Sequence, residues 1–266
     1  MKIAFVGKGG SGKSSISWLA IKTLEDMGSS VLAIDADHNM DLTSNLGLDP
    51  ESTVLMRTTD KEFMEKTLNS CNGDCKNHGT EHKHHLPTFS FDDDYTKSIT
   101  TPISKNLKLI NIGLGSPDVL FTSTCAHGLS GPLKYYLGLL DEKDSWVVID
   151  SVAGADMLNY GLYSGIDAVI GIVEPHRNSI KVFEQIQDIC RKTMIPCYAI
   201  MNRPADNEFY THFKNEFKTI TLGEIPFDTG IVAYDYQSIE NTTKNAMKTI
   251  LEKIKNLKRR GGLQTV

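Results

Sequence analysis

Eight consecutive residues near the start of the chain, Gly7-Lys8-Gly9-Gly10-Ser11-Gly12-Lys13-Ser14, have the composition needed to hold a row of phosphates. They fit the pattern G-x-x-x-x-G-K-[ST], and they follow an apolar run and precede a helical pattern that begins at Lys13. Glycines let the backbone curl until successive N–H groups converge, and the start of a helix adds its positive end. Lys13 would bridge the outer phosphates of a nucleoside triphosphate. Ser14, followed by Ser15, offers a hydroxyl to a magnesium ion.

A second chemical feature is Asp150, which ends the apolar run Val147-Val148-Ile149. A carboxylate at the end of a buried strand has few roles there other than to hold a magnesium-bound water. Cysteine and histidine supply a third. Cys71 and Cys75 precede His78, His82, His84 and His85, and Cys125 lies two residues before His127. Thiolate and imidazole at that density either bind a soft or borderline ion such as zinc or nickel, or belong to a solvated polar loop. Cys190 and Cys197 sit in apolar surroundings and read as small buried hydrophobes. An odd number of cysteines and no export signal argue against a disulfide framework, so reduced thiols and a cytoplasmic location are expected.

These residues need a frame. Short apolar runs bounded by turn residues recur at 2–6, 31–34, 107–110, 146–149, 168–173 and 197–201. Their length and continuity suit strands buried on both faces of a parallel sheet. Between and after them come helical patterns at 13–27, 131–140, 179–192, 207–217 and 239–257. This alternation predicts one α/β domain over residues 1–266, a doubly wound, mostly parallel sheet flanked by helices, with ligands at the carboxyl ends of the strands. Residues 51–104 break the pattern and predict a polar, His- and Cys-rich surface insertion with at most a short helix near 61–68. The last helix carries apolar residues at helical spacing and a Lys-Arg-Arg end. Packing on the sheet accounts for it, and membrane or nucleic-acid contact is the alternative.

Composition bounds the partners. With 266 residues, 40% hydrophobic and 23% charged, the chain can bury a large core. A formal charge of -5 gives no overall reason to bind nucleic acid or an anionic membrane, and no apolar run is long enough for a transmembrane segment.

Lys8 is superfluous to the phosphate cradle, because Lys13 already supplies the charge. A loop of the form K-G-G-x-G-K-S resembles the deviant Walker A P-loop NTPases, the group that contains MinD, ParA, the nitrogenase iron protein and the CooC-type nickel-insertion ATPases. The resemblance implies that Lys8 reaches across a dimer interface to the partner's nucleotide, so that ATP binding makes a homodimer and hydrolysis to ADP relaxes it. It runs along most of the chain. Ile34-Asp35-Ala36-Asp37-His38-Asn39 is similar to the D-A-D-P segment of switch I, with His38 in place of proline. By that likeness Asp37 would position the attacking water, and Asp35 would help organise magnesium. Asp150 would lie in the Walker B strand, ahead of the switch II residues Ala153-Gly154. Asn202, with Arg203 beside it, would meet the adenine edge, and Pro226-Phe227-Asp228 would close over the base.

The branch of the family is marked by Cys125-Ala126-His127. CooC-type ATPases carry C-x-C here, and two subunits offer four thiolates to one metal. In this chain Cys125 and His127 from two subunits would give a Cys2His2 set suited to zinc or nickel, or Cys125 is an interface residue and His127 caps a turn. The expectation is an accessory ATPase for metallocentre assembly, serving a client metalloenzyme. A spatial-positioning ATPase of the MinD and ParA kind and a dethiobiotin-synthetase-like metabolic enzyme are the alternatives.

Overall fold

The computed structural model describes residues 1–37, 39–56, 88–113, 131–154 and 165–259. An eight-stranded sheet forms its centre, in the order β3-β4-β2-β5-β1-β6-β7-β8. The strands are β1 (Lys2–Gly7), β2 (Val31–Ala36), β3 (Thr101–Pro102), β4 (Leu107–Asn111), β5 (Trp146–Ser151), β6 (Ala168–Val173), β7 (Cys197–Asn202) and β8 (Thr221–Ile225). All neighbours run parallel except β3, a short antiparallel edge whose Pro102 suits a position without a ladder donor.

The helices are α1 (Lys13–Asp26), α2 (Asp41–Asn45), α3 (Asp94–Ile99), α4 (Gly131–Leu139), α5 (Arg177–Thr193), α6 (Glu208–Glu216), α7 (Thr229–Ala233) and α8 (Asn241–Arg259). Alternate strand residues feed two cores. Ile3, Phe5, Val31, Ala33 and Val148 face α1, with Trp18, Leu19 and Leu24 packed beneath them. Ala4, Val6, Leu32, Ile34 and Ile149 face the other way, onto Leu133, Tyr136 and Leu137 of α4 and Ile186 of α5. Parallel strands buried on both faces read as unbroken apolar runs, which is why six of them were visible in the sequence.

The last helix packs on the sheet and on α1. Met247, Ile250, Leu251 and Ile254 are buried, each worth about 1.5–3 kcal/mol. Among the described residues no helix is long and apolar enough to cross a membrane.

The strands β3 and β8 and the short helices α2, α3 and α7 add to the elements expected. β8 is half-exposed, with a mixed sequence Thr-Leu-Gly-Glu-Ile that offers no apolar run. Within the expected insertion, residues 88–104 join the fold. Phe89 exchanges backbone hydrogen bonds with Leu139 and Asp141, and its ring packs against Tyr95 and Tyr136. Asp93 caps α3 by accepting the Thr96 N–H at 2.8 Å. The polar run at 92–94 hid this helix, whose inward residues Tyr95 and Ile99 are buried. The expected helix at 61–68 and the cluster Cys71, Cys75, His78, His82, His84 and His85 lie outside the described residues.

Candidate nucleotide site

β1 sits near the middle of the sheet, and the chain leaves it through a loop shaped by glycine. Gly7, Gly10 and Gly12 have φ of 151°, 82° and 89°, the half of conformational space that side chains disfavour. A Cβ on Gly7 would lie 2.6 Å from the Ile172 carbonyl, and one on Gly12 would lie 2.4 Å from Asn202 Nδ2. The turn is closed by the Ser11 N–H donating to the Lys8 carbonyl at 3.0 Å.

Helix α1 then begins without a side-chain cap, unlike α3, α6 and α7, where Asp93, Asn207 and Asp228 accept N–H groups. Its first amides point into the cleft with the helix dipole behind them, an arrangement that favours an anion. Lys13 is 7% exposed and has neither a hydrogen bond nor an ion pair with the described residues. Its ammonium borders the cleft beside the Asp150 carboxyl, where an anionic ligand can reach it. The cleft above it encloses about 440 Å³ and is walled by Gly9, Gly10, Gly12, Lys13, Ser14, Ser15, Asp37, Asn39, Asp41, Asn45, Ala153, Arg203 and Tyr234.

Beneath the loop lies a row of polar residues cut into the sheet. In register, Phe5 pairs with Asp150, Asp150 with Asp35, and Asp35 with Asn111. Asp150 Oδ1 accepts the Ser17 hydroxyl at 3.0 Å, and its Oδ2 is buried without a partner. Burial pushes its carboxyl up to about 7; the Ser14 and Ser17 hydroxyls and the Lys13 charge oppose this, and the Asp35 charge adds to it. The orphaned oxygen beside the Ser14 hydroxyl is the donor set that a magnesium ion takes, so these residues fit one.

Asp35 is tied more tightly. Oδ2 accepts both the N–H and the hydroxyl of Thr43, at 2.8 and 2.7 Å, and Oδ1 accepts the Asp37 N–H at 3.3 Å. Burial raises its carboxyl to about 6. With its oxygens so occupied, it ties Asp37 and Thr43 to the end of β2. Asp37 is half-buried on the cleft wall, and its Oδ1 accepts the Asn39 N–H at 3.0 Å.

The remaining expected residues are placed as follows. Lys8 Nζ is exposed and donates to the Gly9 carbonyl at 3.1 Å, at the rim of the loop. Asn202 Nδ2 donates to the Ser11 carbonyl at 2.8 Å, which braces the loop from below. Arg203 lines the cleft and pairs with Glu174 at 3.4 Å. Asp228 is buried and accepts the N–H groups of Gly230 and Glu240 at 2.8 and 3.0 Å; the Thr243 hydroxyl, with these N–H groups, holds its carboxyl below the usual range despite burial. Pro226 and Phe227 are exposed. His38, Cys125 and His127 lie outside the described residues, among which no group of three or more His, Cys, Asp or Glu gathers to hold a metal.

Sequence reasoning passed over Ser17, Thr43 and Tyr234. Ser17 had a signal, a hydroxyl on the inward face of α1. Thr43 and Tyr234 had none, since only the tertiary fold brings them to Asp35 and to Ser15.

Comparison with known proteins bears on the fold and on nucleotide binding as a class. A family model, the CobQ/CobB/MinD/ParA nucleotide binding domain, matches residues 3–258. The chain is 31% identical over 256 residues to an uncharacterised ATP-binding protein of Methanocaldococcus jannaschii, covering 95% of this chain and 98% of that one. It is 28% identical over 239 residues to the carbon monoxide dehydrogenase accessory protein CooC of Rhodospirillum rubrum, covering 88% and 87%. Among solved structures, the septum site-determining protein MinD of Pyrococcus horikoshii, complexed with Mg-ADP, superposes with a TM-score of 0.68 at 18% identity over 97% and 96% of the two chains. A plasmid partition protein of Borrelia burgdorferi gives 0.60 at 20% identity over 96% and 98%. At these identities the two structures bear on the fold alone.

Proposed function

The chain belongs to the CobQ/CobB/MinD/ParA nucleotide-binding family, and from that premise we propose that it is a magnesium-dependent ATPase working as a dimeric switch in metallocentre assembly. The observation that carries the ATPase reading is the Lys13 ammonium, which lines the cleft at the uncapped start of α1 without a hydrogen bond or ion pair among the described residues, beside the orphaned oxygen of Asp150. That arrangement is complete only with a polyphosphate and a cation.

In this reading the loop amides and Lys13 hold the β- and γ-phosphates, and Asp37 orients the attacking water. Magnesium, when bound, neutralises charge on the outer phosphates; Ser14 and Asp150 would hold it, and Asp35 orders the loop around it. Lys8 acts in trans. At the rim, with its own loop as its partner among the described residues, it is placed to reach a second subunit's nucleotide, so that hydrolysis waits on assembly of the homodimer. The γ-phosphate thereby shifts a population between two dimer geometries, and slow turnover is expected.

The CooC likeness extends over nearly nine-tenths of both chains and supports a service to a client metalloenzyme in the cytoplasm. Cys125 and His127 of two subunits are the proposed zinc or nickel site. Two measurements test the switch: ATP turnover with no added acceptor, and light scattering with and without ATP. A metabolic enzyme of the dethiobiotin-synthetase kind would need an acceptor and would keep one oligomeric state, and that result would overturn the proposal.

A further inference from the structure

Tyr234 stands at the edge of the nucleotide cleft. It ends the short helix α7 with φ 52° and ψ 34°, a left-handed position that glycine occupies most readily. A large side chain kept in a disfavoured backbone state is a mark of function when the surroundings hold it there, and here they do. The Tyr234 hydroxyl lies 3.1 Å from the Ser15 hydroxyl in the first turn of α1. Its ring meets the buried Trp18 ring almost at right angles, with centroids 5.4 Å apart. The side chain is nevertheless 36% exposed, so part of the ring remains open to the cleft that it lines.

The sheet order says which end of a nucleotide lies there. Asp37 and Ala153 follow β2 and β5 on one side of β1, whereas Arg203 and Tyr234 follow β7 and β8 on the other. If the γ-phosphate lies toward Asp37 and Asp150, as the proposed function requires, the α-phosphate and nucleoside leave the cleft over Ser15 on the Tyr234 side. We infer that Tyr234 is the base-stacking residue of this site, its ring packing on the purine of the bound nucleotide, and that it, rather than the loop, makes binding depend on the nucleoside. Aromatic stacking tolerates any base, so the preference it creates is for a nucleotide over a bare polyphosphate.

Titration calorimetry with ATP and with inorganic tripolyphosphate tests this on the full chain. Tyr234→Gly removes the ring and keeps the left-handed turn. It is expected to weaken ATP binding about ten-fold and leave tripolyphosphate binding within about two-fold. Tyr234→Phe, which keeps the ring, should bind ATP as the parent does. Unchanged ATP affinity in Tyr234→Gly would overturn the inference, as would an equal loss for both ligands or a Phe variant as weak as the Gly variant. A parent chain that binds neither ligand would instead overturn the phosphate-loop reading on which this inference rests.

Discussion

Asp35 and Asp150 stand opposite each other on the neighbouring parallel strands β2 and β5, and neither has any solvent exposure. Residues in register on adjacent strands project from the same face of a sheet, so the two carboxyls lie on the α1 side, under the phosphate loop. Two buried acids side by side oppose folding unless protons, hydroxyl donors or a cation compensate them. Thr43 and Ser17 compensate in part, and the oxygen left over belongs to Asp150. Stability has been given up at the place where the proposed cation would sit.

The first prediction follows from the sign of these shifts. Both carboxyls titrate higher in the folded chain, at about 6 and about 7, than the ordinary value of about 4 in an unfolded one. Their contribution is therefore fully present below about pH 4 and is lost as the pH rises through about 7. Without nucleotide, Tm should fall between pH 5 and pH 8. Asp150→Asn, which cannot ionise, should flatten that slope and raise Tm at pH 8 by roughly 5 °C, while abolishing magnesium-dependent ATP hydrolysis. Calorimetry at the two pH values decides it, and parallel slopes for the two proteins would refute the assignment.

A second prediction separates two glycines of the loop. Gly10 and Gly12 have similar φ, 82° and 89°, but a Cβ on Gly10 meets nothing within 4 Å, whereas one on Gly12 meets Asn202 Nδ2 at 2.4 Å. Gly10→Ala bears only the backbone cost, roughly 1–2 kcal/mol. Gly12→Ala must in addition displace Asn202 from the Ser11 carbonyl, which adds on the order of 1–3 kcal/mol for a buried acceptor left unpaired. Denaturant unfolding should rank Gly12→Ala as the less stable of the two by at least about 1 kcal/mol; equal stabilities would mean that Asn202 does not brace the loop.

Much of this was legible in the chain because the signals were local. The six long apolar strands and the glycine-lysine-serine loop are patterns within a few residues of one another, and Asp150 stands out as a charge ending an apolar run. What was hidden depends on distant partners. β8 is an edge strand of mixed, partly buried residues, so it lacks the unbroken apolar run of its neighbours. Tyr95 and Ile99 look like a polar loop's stray hydrophobes until Phe89 and Tyr136 close around them. Asp35 is similar: its spacing before Asp37 was visible, but its two bonds to Thr43, which fix its role, cross from β2 to α2.

The third prediction concerns Lys8. Its amine lies at the rim and, among the described residues, bonds to its own loop at Gly9 O. Lys8→Ala should therefore leave ATP affinity within about three-fold of the parent, since the cradle and Lys13 remain, yet abolish ATP-induced dimerisation and lower turnover at least about 100-fold, as expected for a cation supplied in trans. Size-exclusion chromatography with light scattering, alongside phosphate release, is the check. A Lys8→Ala chain that still dimerises on ATP would remove the trans role.

The last prediction joins the dimer to a metal. In the proposed interface site Cys125 and His127 would provide two ligands per chain, too few for a tetrahedral ion, and a pair of chains would provide four. A metal bound in this way belongs to the assembly, so occupancy and dimerisation should rise together. Plasma emission analysis of the purified dimer should find about one zinc or nickel ion per two chains. Cys125→Ser should lose that ion, and a Cys71→Ser, Cys75→Ser double variant should keep it. Because thiolate and imidazole must both be deprotonated to bind, the ion should also be released as the pH falls below about 6. If Cys125→Ser retains the metal and the double variant loses it, the insertion is the binding site and the interface model is wrong.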